Sequence, residues 1–237
     1  MDTIGKKLGL KEKMAYGCGD AASNIIWAST GTFLMFYYTD VVNINAATIG
    51  VIFLIARVIN AVVALLTGWL IDNTHSKYGK ARPWLLWFAV PFGIVTFAIF
   101  AVPDVAKLYQ IIYVFIAYNA MMSVYSLINI PYGSMASAIS PDPTDRASLS
   151  TWRSVGASLA SLVIGTGTPL VAYVTVDGNP VLSGSRMTII AGVFSVLAVI
   201  CYLLCYNLVR ERVPVPANNQ KLDIVALGKS LITNRAL

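Results

Sequence analysis

Ionisable side chains lie within segments of this sequence that are otherwise apolar. Arg57 lies more than ten residues from either end of one such stretch, Arg153 lies near the start of another, and Asp20 opens a third. Holding a charge in hydrocarbon costs about 2.5–3.5 kcal/mol even on lenient scales, so each is by default a candidate for a functional site. The chemistry that they indicate is binding or gating of a polar solute. No nucleophile–base pair, metal-ligand cluster or phosphate-binding glycine loop accompanies them, so an enzyme is not expected.

Helical spacing joins these residues to amides and aromatics. One face, at intervals of four, three and four, carries Asp20, Asn24, Trp27 and Gly31. A second face, at intervals of three, four and four, carries Arg57, Asn60, Ala64 and Gly68. A third carries Tyr118, Tyr125 and Asn129. An aromatic ring beside amides is one way in which proteins bind a sugar. For Asn24, Asn60 and Asn129, interhelical hydrogen bonds worth about 0.6 kcal/mol are nearly as good an interpretation.

The elements that position these residues are membrane-spanning helices. The chain has 237 residues, of which 57% are hydrophobic and 12% charged, with a mean hydropathy of +0.70. A soluble protein carries about 25% charged residues. A bilayer core needs about 20 apolar residues per helix. Six stretches qualify: 20–39, 45–71, 83–103, 107–131, 149–175 and 187–209. We therefore predict an all-α membrane protein with the lipid bilayer as its solvent. Irregular connections are expected between the spans, including 131–148 and 175–186.

The distribution of cations predicts the orientation of the spans. With six spans, thirteen loop and terminal cations fall on one side of the membrane, and only Lys107 and Arg186 fall on the other. The cation-rich side is the cytoplasmic one. Both termini are therefore predicted to be cytoplasmic. The expected organisation is an N-terminus over 1–14, a six-helix bundle over 15–212 and a tail over 213–237, in which 222–232 has the pattern of an amphipathic surface helix. The net charge of +6 follows the loops and predicts no nucleic-acid partner.

The segment 68–84 gives the strongest local signal. Asp72 lies at the C-terminal end of a predicted helix, where the helix dipole disfavours an anion. The cations that follow it, among them Arg82, can compensate by pairing with it, and such a charge latch can hold one conformation and release another. The alternative is a solvated basic loop, which accounts for the cations but not for Asp72. The only histidine, His75, is expected to be a solvated side chain.

Taken together, these residues resemble the glycoside–pentoside–hexuronide:cation symporters of the major facilitator superfamily. The matching motifs occur in family order between residues 11 and 212, and the 129–134 run looks closest to the glucuronide-carrier branch. They are Tyr16-Gly17-Cys18-Gly19-Asp20, Tyr37-Tyr38-Thr39-Asp40-Val41, Ala56-Arg57, the 68–84 loop, Asn129-Ile130-Pro131-Tyr132-Gly133-Ser134 and Trp152-Arg153.

The resemblance implies secondary active transport by alternating access, with the substrate bound between two six-helix halves. Carried over by position, the implied sugar contacts are Asn24, Tyr125, Asn129 and Arg153. The residues implied in gating or coupling are Asp20, Arg57, Asp72 and Arg82. A multi-pass protein of the bacterial inner membrane is expected, and no cofactor beyond a coupling cation, H⁺ or Na⁺, is implied.

Two departures from the family qualify this expectation. The family's second helix supplies two carboxylates to the coupling cation, and here those positions hold Asn60 and Ala64. Family members have twelve spans, so the resemblance covers an N-terminal half, whose partner would be a C-terminal half or a second copy of this chain. With Arg57 and Arg153 retained, an anionic glycoside such as a glucuronide is expected over a neutral one. The alternative hypothesis is a truncated remnant that no longer transports. A third hypothesis is a homodimeric channel.

Overall fold

The structure is a computed structural model that describes residues 8–74 and 76–213, and the chain forms a bundle of helices. His75 and the predicted surface helix over 222–232 lie outside the described residues. The helices are α1 (Leu10–Ser29), α2 (Ala46–Asp72), α3 (Arg82–Ile99), α4 (Lys107–Ile139), α5 (Pro143–Leu162), α6 (Thr168–Ala172) and α7 (Gly184–Leu208).

Two of the helices continue through wider, π-helical turns. After α1, such turns occupy Thr30–Leu34 and Tyr37–Val41. The helical backbone that begins with α1 therefore continues to Val41, where the connection to α2 begins. Val163–Gly167 likewise joins α5 to α6. Turns of this type leave some backbone groups outside the regular α-helical pattern and frequently occur at functional sites. In α1 the widening begins three residues after Trp27, on the helix that carries the predicted polar face.

Five helices in the described part of the chain are long and apolar enough to cross a membrane: α2, α3, α4, the continuous α5–α6 helix and α7. α1 is not among them because charged residues and small polar residues interrupt its apolar positions. Lys11, Glu12, Lys13 and Asp20 all lie within it. Five of the six predicted spans thus coincide with helices of spanning length. The sixth span and the orientation of the termini stay predictions.

The predicted connection over 131–148 is wrong, because α4 runs through Pro131 and ends at Ile139. Proline in a helix removes one backbone donor. The carbonyl that lacks this donor is that of Leu127, four residues before Pro131, while the Ser134 hydroxyl donates to the Pro131 carbonyl at 2.8 Å. The next helix begins at Pro143, a favourable first position, and the Asp142 carboxylate accepts from the Thr144 amide at 2.9 Å. The connection is therefore only three residues long.

The region expected to be irregular between the fifth and sixth spans contains a β-hairpin. Strands β1 (Tyr173–Val176) and β2 (Asn179–Leu182) pair antiparallel. Asp177 and Gly178 form the turn with φ values of 50° and 82°. Positive φ at both central residues defines the tight turn that Asp-Gly favours in hairpins. The spanning helix that precedes it consequently ends at Ala172, not at residue 175.

The packing places α1 between α5 and α7, while α3 lies against α4 and α7, and α2 packs on α4. α1 and α5 touch backbone to backbone, since a Cβ on Gly156 would lie 2.3 Å from the Gly17 carbonyl oxygen. Small residues at such contacts allow close packing of membrane helices. The largest fully buried side chains include Tyr16 of α1, Tyr132 of α4 and Tyr202 of α7, which lie on the buried side of α1.

Candidate functional site

A polar cluster joins α1 to α5. The Nε and Nη2 atoms of Arg153 donate to the Oδ1 atom of Asp20 at 3.1 and 2.9 Å. The other carboxylate oxygen of Asp20 accepts from the Nδ2 atom of Asn24 at 3.1 Å. The Asp20 side chain is 12% exposed and the Arg153 side chain is 33% exposed. Three predicted site residues thus form one connected cluster, which is largely shielded but still accessible at the guanidinium.

Two aromatic side chains pack beside Arg153, one behind the other. Its guanidinium carbon lies 5.1 Å from the centroid of the Tyr132 ring, within the range of a cation–π contact. The Tyr132 ring stacks on Tyr16 with centroids 4.8 Å apart. Each of these tyrosines donates its hydroxyl to the backbone carbonyl of the other. From the sequence, Tyr132 was recognised only as part of the 129–134 motif and was assigned no role. Its position three residues after Asn129, on the same side of the helix, could have indicated one.

The aromatic pair Trp27 and Tyr125 continues the site along α1 and α4. Their ring centroids lie 5.5 Å apart with an interplanar angle of 27°. Trp27 is 52% exposed, so much of its ring is free to contact a ligand, whereas Tyr125 is partly buried against Phe92. Tyr118, the third aromatic of the predicted α4 face, packs instead against Phe53 in the interior. A planar ring one turn from Asn24 is the arrangement expected for binding a sugar face.

Asn129 is held by a second hydrogen-bond network. Its Oδ1 atom accepts from the Ser23 hydroxyl at 3.3 Å, and the Ser23 hydroxyl lies 2.6 Å from the Tyr202 hydroxyl. The network connects α1, α4 and α7. Ser23 and Tyr202 were not identified from the sequence, although Ser23 adjoins Asn24 in the same polar run. Asn129 therefore takes part in interhelical bonding through its oxygen, and its side-chain nitrogen makes no hydrogen bond with another described residue.

The polar face of α2 is separate from this cluster. The Oδ1 atom of Asn60 accepts from the Ser126 hydroxyl at 2.7 Å, a bond between α2 and α4. Ala64 supplies no ligand atom from its side chain. Arg57 is exposed on this helix and has no ion pair within residues 8–74 and 76–213. Among those residues, no group of three or more metal-binding side chains is brought together.

The predicted pairing of Asp72 with the cations of its loop is not formed between described residues. Arg82 instead donates to the Tyr206 carbonyl at 2.7 Å and lies 4.9 Å from the centre of the Tyr206 ring. The carboxylate of Glu211 accepts from the backbone amides of Lys80, Ala81 and Arg82 at 2.8–2.9 Å. Open amides at a helix N-terminus favour an anion, so Glu211 caps α3.

Glu211 was missed in the sequence because it lies between Arg210 and Arg212, which made the segment look like a solvated charged stretch. The same segment is tied to two further helices. Arg212 pairs with Glu12 of α1 at 2.5 Å, and the backbone amides of Arg212 and Val213 donate to the Ala138 carbonyl at the end of α4. The end of α7 thus connects the nearby ends of α1, α3 and α4.

Comparison with known proteins places this site in a transport family. The profile of the family described as MFS/sugar transport protein matches residues 15–237. The inner membrane symporter YicJ of Escherichia coli is 38% identical over 88% of this chain and 45% of its own length. The isoprimeverose transporter of Lactiplantibacillus pentosus is 33% identical over 94% of the chain and 46% of its own length. The glucuronide carrier protein homolog of Escherichia coli is 30% identical over 89% of the chain and 46% of its own length.

The chain therefore spans about half the length of the curated relatives that it matches. The identities differ too little to single out one substrate. Transporter relatives and helices of spanning length agree on a multi-pass membrane protein. The chain belongs to the MFS/sugar transport family, among the glycoside/cation symporters.

Proposed function

We propose that this chain forms the N-terminal half of a sugar carrier of the bacterial inner membrane and supplies half of its substrate site. The observation that carries the proposal is the Asp20–Arg153 pair, bonded to Asn24 and lying near the half-exposed Trp27 ring. Sugar hydroxyls need donors and acceptors in fixed positions, and a sugar ring needs a flat apolar surface. The cluster offers all three. Its uncovered side would face a C-terminal half or a second copy of the chain.

We propose an anionic glycoside, such as a glucuronide, as the substrate. Arg153 keeps its Nη1 atom free of any bond within the described residues, and Arg57 adds a second, unpaired cation. Asp20 neutralises part of this charge, so the preference rests on the guanidinium presenting a free nitrogen to a carboxylate. The glucuronide carrier homolog is one relative whose name fits this class.

The coupling ion in this proposal is a proton. Na⁺ prefers several oxygen ligands including carboxylates, and the two positions of α2 that provide them in the family hold Asn60 and Ala64. Asp20 is the acid nearest the proposed sugar contacts.

The test is uptake by proteoliposomes. The chain is reconstituted alone and together with the C-terminal half of a relative as a separate polypeptide. A radiolabelled glucuronide and a neutral galactoside are offered under an inward proton gradient or an inward Na⁺ gradient. We expect proton-driven glucuronide uptake, loss of that uptake in Arg153→Gln, and normal uptake in the matched variant Arg186→Gln. Preference for the galactoside contradicts the anionic substrate, and stimulation by Na⁺ contradicts the proton.

A non-transporting protein is the second candidate. The Asn60–Ser126 hydrogen bond favours it, because the position of a coupling carboxylate is used to join two helices. This candidate predicts a folded chain with an intact Asp20–Arg153 pair and no uptake in either reconstitution. Uptake above that of empty liposomes, lost in Arg153→Gln, would contradict it.

A further inference from the structure

An apolar crevice of about 330 Å³ lies along α1, on a different face from Asp20, Asn24 and Trp27. α1 forms its floor with a helical stripe at intervals of four, three and four, made of Met14, Cys18, Ala21 and Ile25. α5 and α7 form its walls, and Gly17 and Gly156 bring α1 and α5 close together there. The crevice is lined by no charged or amide side chain. It is therefore unsuited to a sugar.

The length of the crevice matches one leaflet of a bilayer. From Met14 to Ile25 the floor extends about 16 Å at 1.5 Å per residue. Half of a hydrocarbon core of about 30 Å is about 15 Å. On the α5 wall, Trp152 lies at the level of Gly17, since its carbonyl oxygen would be 2.6 Å from a Cβ there. Tryptophan is typical of the membrane interface, so the Met14 end is the end nearer to water.

A cation lies at the Met14 end of the crevice. Lys11 lies one turn before Met14 on the floor stripe and is exposed. Its sequence neighbours hold the acids that are paired in this region: Glu12 bonds to Arg212 at 2.5 Å, and Lys13 lies 3.7 Å from Asp145. Lys11 takes part in none of the ion pairs found between described residues. Within residues 8–74 and 76–213, the mouth of the crevice therefore carries a positive charge that no acid pairs with.

We propose that this crevice is a binding site for an anionic phospholipid, with one acyl chain between α5 and α7 and the phosphate head group beside Lys11. The apolar lining and the leaflet length suit the chain. The cation at the interfacial end suits the head group, because a cation near the membrane surface attracts anionic lipids. The proposal depends on the chain lying in a membrane and not on any transport activity.

The test uses the full chain in lipid nanodiscs that contain a small fraction of a photoreactive phospholipid. The probe is phosphatidylglycerol with a diazirine at the end of one acyl chain, compared with phosphatidylcholine that carries the same chain. After illumination, labelled peptides are identified by mass spectrometry. Because the diazirine lies at the end of the chain farthest from the head group, we expect labelling of α1 around Ile25 and of the facing end of the α5 wall, at least threefold stronger for phosphatidylglycerol.

Variants separate the two parts of the site. Ala21→Phe fills the crevice and should reduce its labelling at least fivefold, whereas Ala61→Phe, on the exposed face of α2, should leave it unchanged. Lys11→Glu should abolish the preference for phosphatidylglycerol, and the matched variant Lys77→Glu should keep it. Unchanged labelling of Ala21→Phe, or equal labelling by both lipids in the parent chain, would overturn the proposal. If the crevices of two chains were found crosslinked to each other, the occupant would be a second copy of the chain, and the proposal would also be overturned.

A spectroscopic measurement does not depend on the folding of Ala21→Phe. A nitroxide is attached to Cys18 in a chain that carries Cys201→Ala and Cys205→Ala, and its collisions with oxygen and with a water-soluble nickel chelate are compared. A lipid-filled crevice gives frequent collisions with oxygen and few with nickel. Ready access of nickel would show a water-filled crevice and would contradict the proposal.

Discussion

Two nitrogens of Arg153 donate to one oxygen of Asp20, which leaves the second oxygen of that carboxylate to Asn24. The guanidinium is therefore not used in the two-on-two geometry that Arg and carboxylate adopt most strongly. Asn24 holds the carboxylate of the pair, and Tyr132 lies against the guanidinium. The arrangement holds Arg153 in place while leaving it able to exchange partners.

Asp20→Asn should destabilise the chain by about 1–3 kcal/mol, because Arg153 then stays partly buried without its counter-ion. Thermal unfolding in detergent, followed by circular dichroism, measures the change. The double variant Asp20→Asn, Arg153→Gln should regain part of the lost stability, since no unpaired charge is left. Losses that simply add in the double variant would show that the two side chains do not stabilise each other.

Trp27→Ala should abolish glycoside binding, whereas Trp27→Phe should retain part of it, because a smaller ring still provides a flat apolar surface. Binding is measured by isothermal titration calorimetry with the glucuronide that supports uptake. The matched control is Trp87→Ala, since Trp87 is 56% exposed and Trp27 is 52% exposed, but Trp87 packs against Trp84 away from the polar cluster. Equal losses in both variants would indicate a general effect on folding.

Glu211→Gln should loosen the start of α3. The carboxylate accepts from three consecutive amides, and its loss at a helix N-terminus costs about 0.5–2 kcal/mol. Hydrogen exchange at residues 80–82 should accelerate by about twofold to thirtyfold, as that energy implies. Asp72→Asn is the matched control, because the Asp72 side chain makes no ion pair with any described residue. Acceleration in Asp72→Asn of the same size would restore the charge latch predicted from the sequence.

The sequence predicted the polar face of α1 well because helical periodicity alone brings Asp20, Asn24 and Trp27 to one side. It could not predict that Arg153 closes on Asp20, since this contact joins helices separated by more than a hundred residues. The end of α4 was misplaced because proline usually marks a helix boundary, whereas Pro131 lies inside a packed helix. Glu211 needed the folded end of α7 to bring it to α3.

Gly19→Ala should be far more harmful than its size suggests. A Cβ at this position would lie 2.4 Å from the Tyr132 ring, and that ring cannot move aside because its hydroxyl bonds to Tyr16 and its face supports Arg153. Overpacking of this kind costs about 1–3 kcal/mol and here also shifts the guanidinium. We expect a lower midpoint of thermal unfolding and loss of glycoside binding.

Gly50→Ala provides the comparison for Gly19→Ala, because a Cβ there would meet no atom within 4 Å and Gly50 also lies within a helix. Replacing a helical glycine by alanine at an unobstructed site stabilises by about 0.5–1 kcal/mol. The two substitutions should therefore move the midpoint of thermal unfolding in opposite directions. If Gly19→Ala raises it as Gly50→Ala does, Tyr132 is free to move, and the rigid support that we assign to Arg153 does not exist.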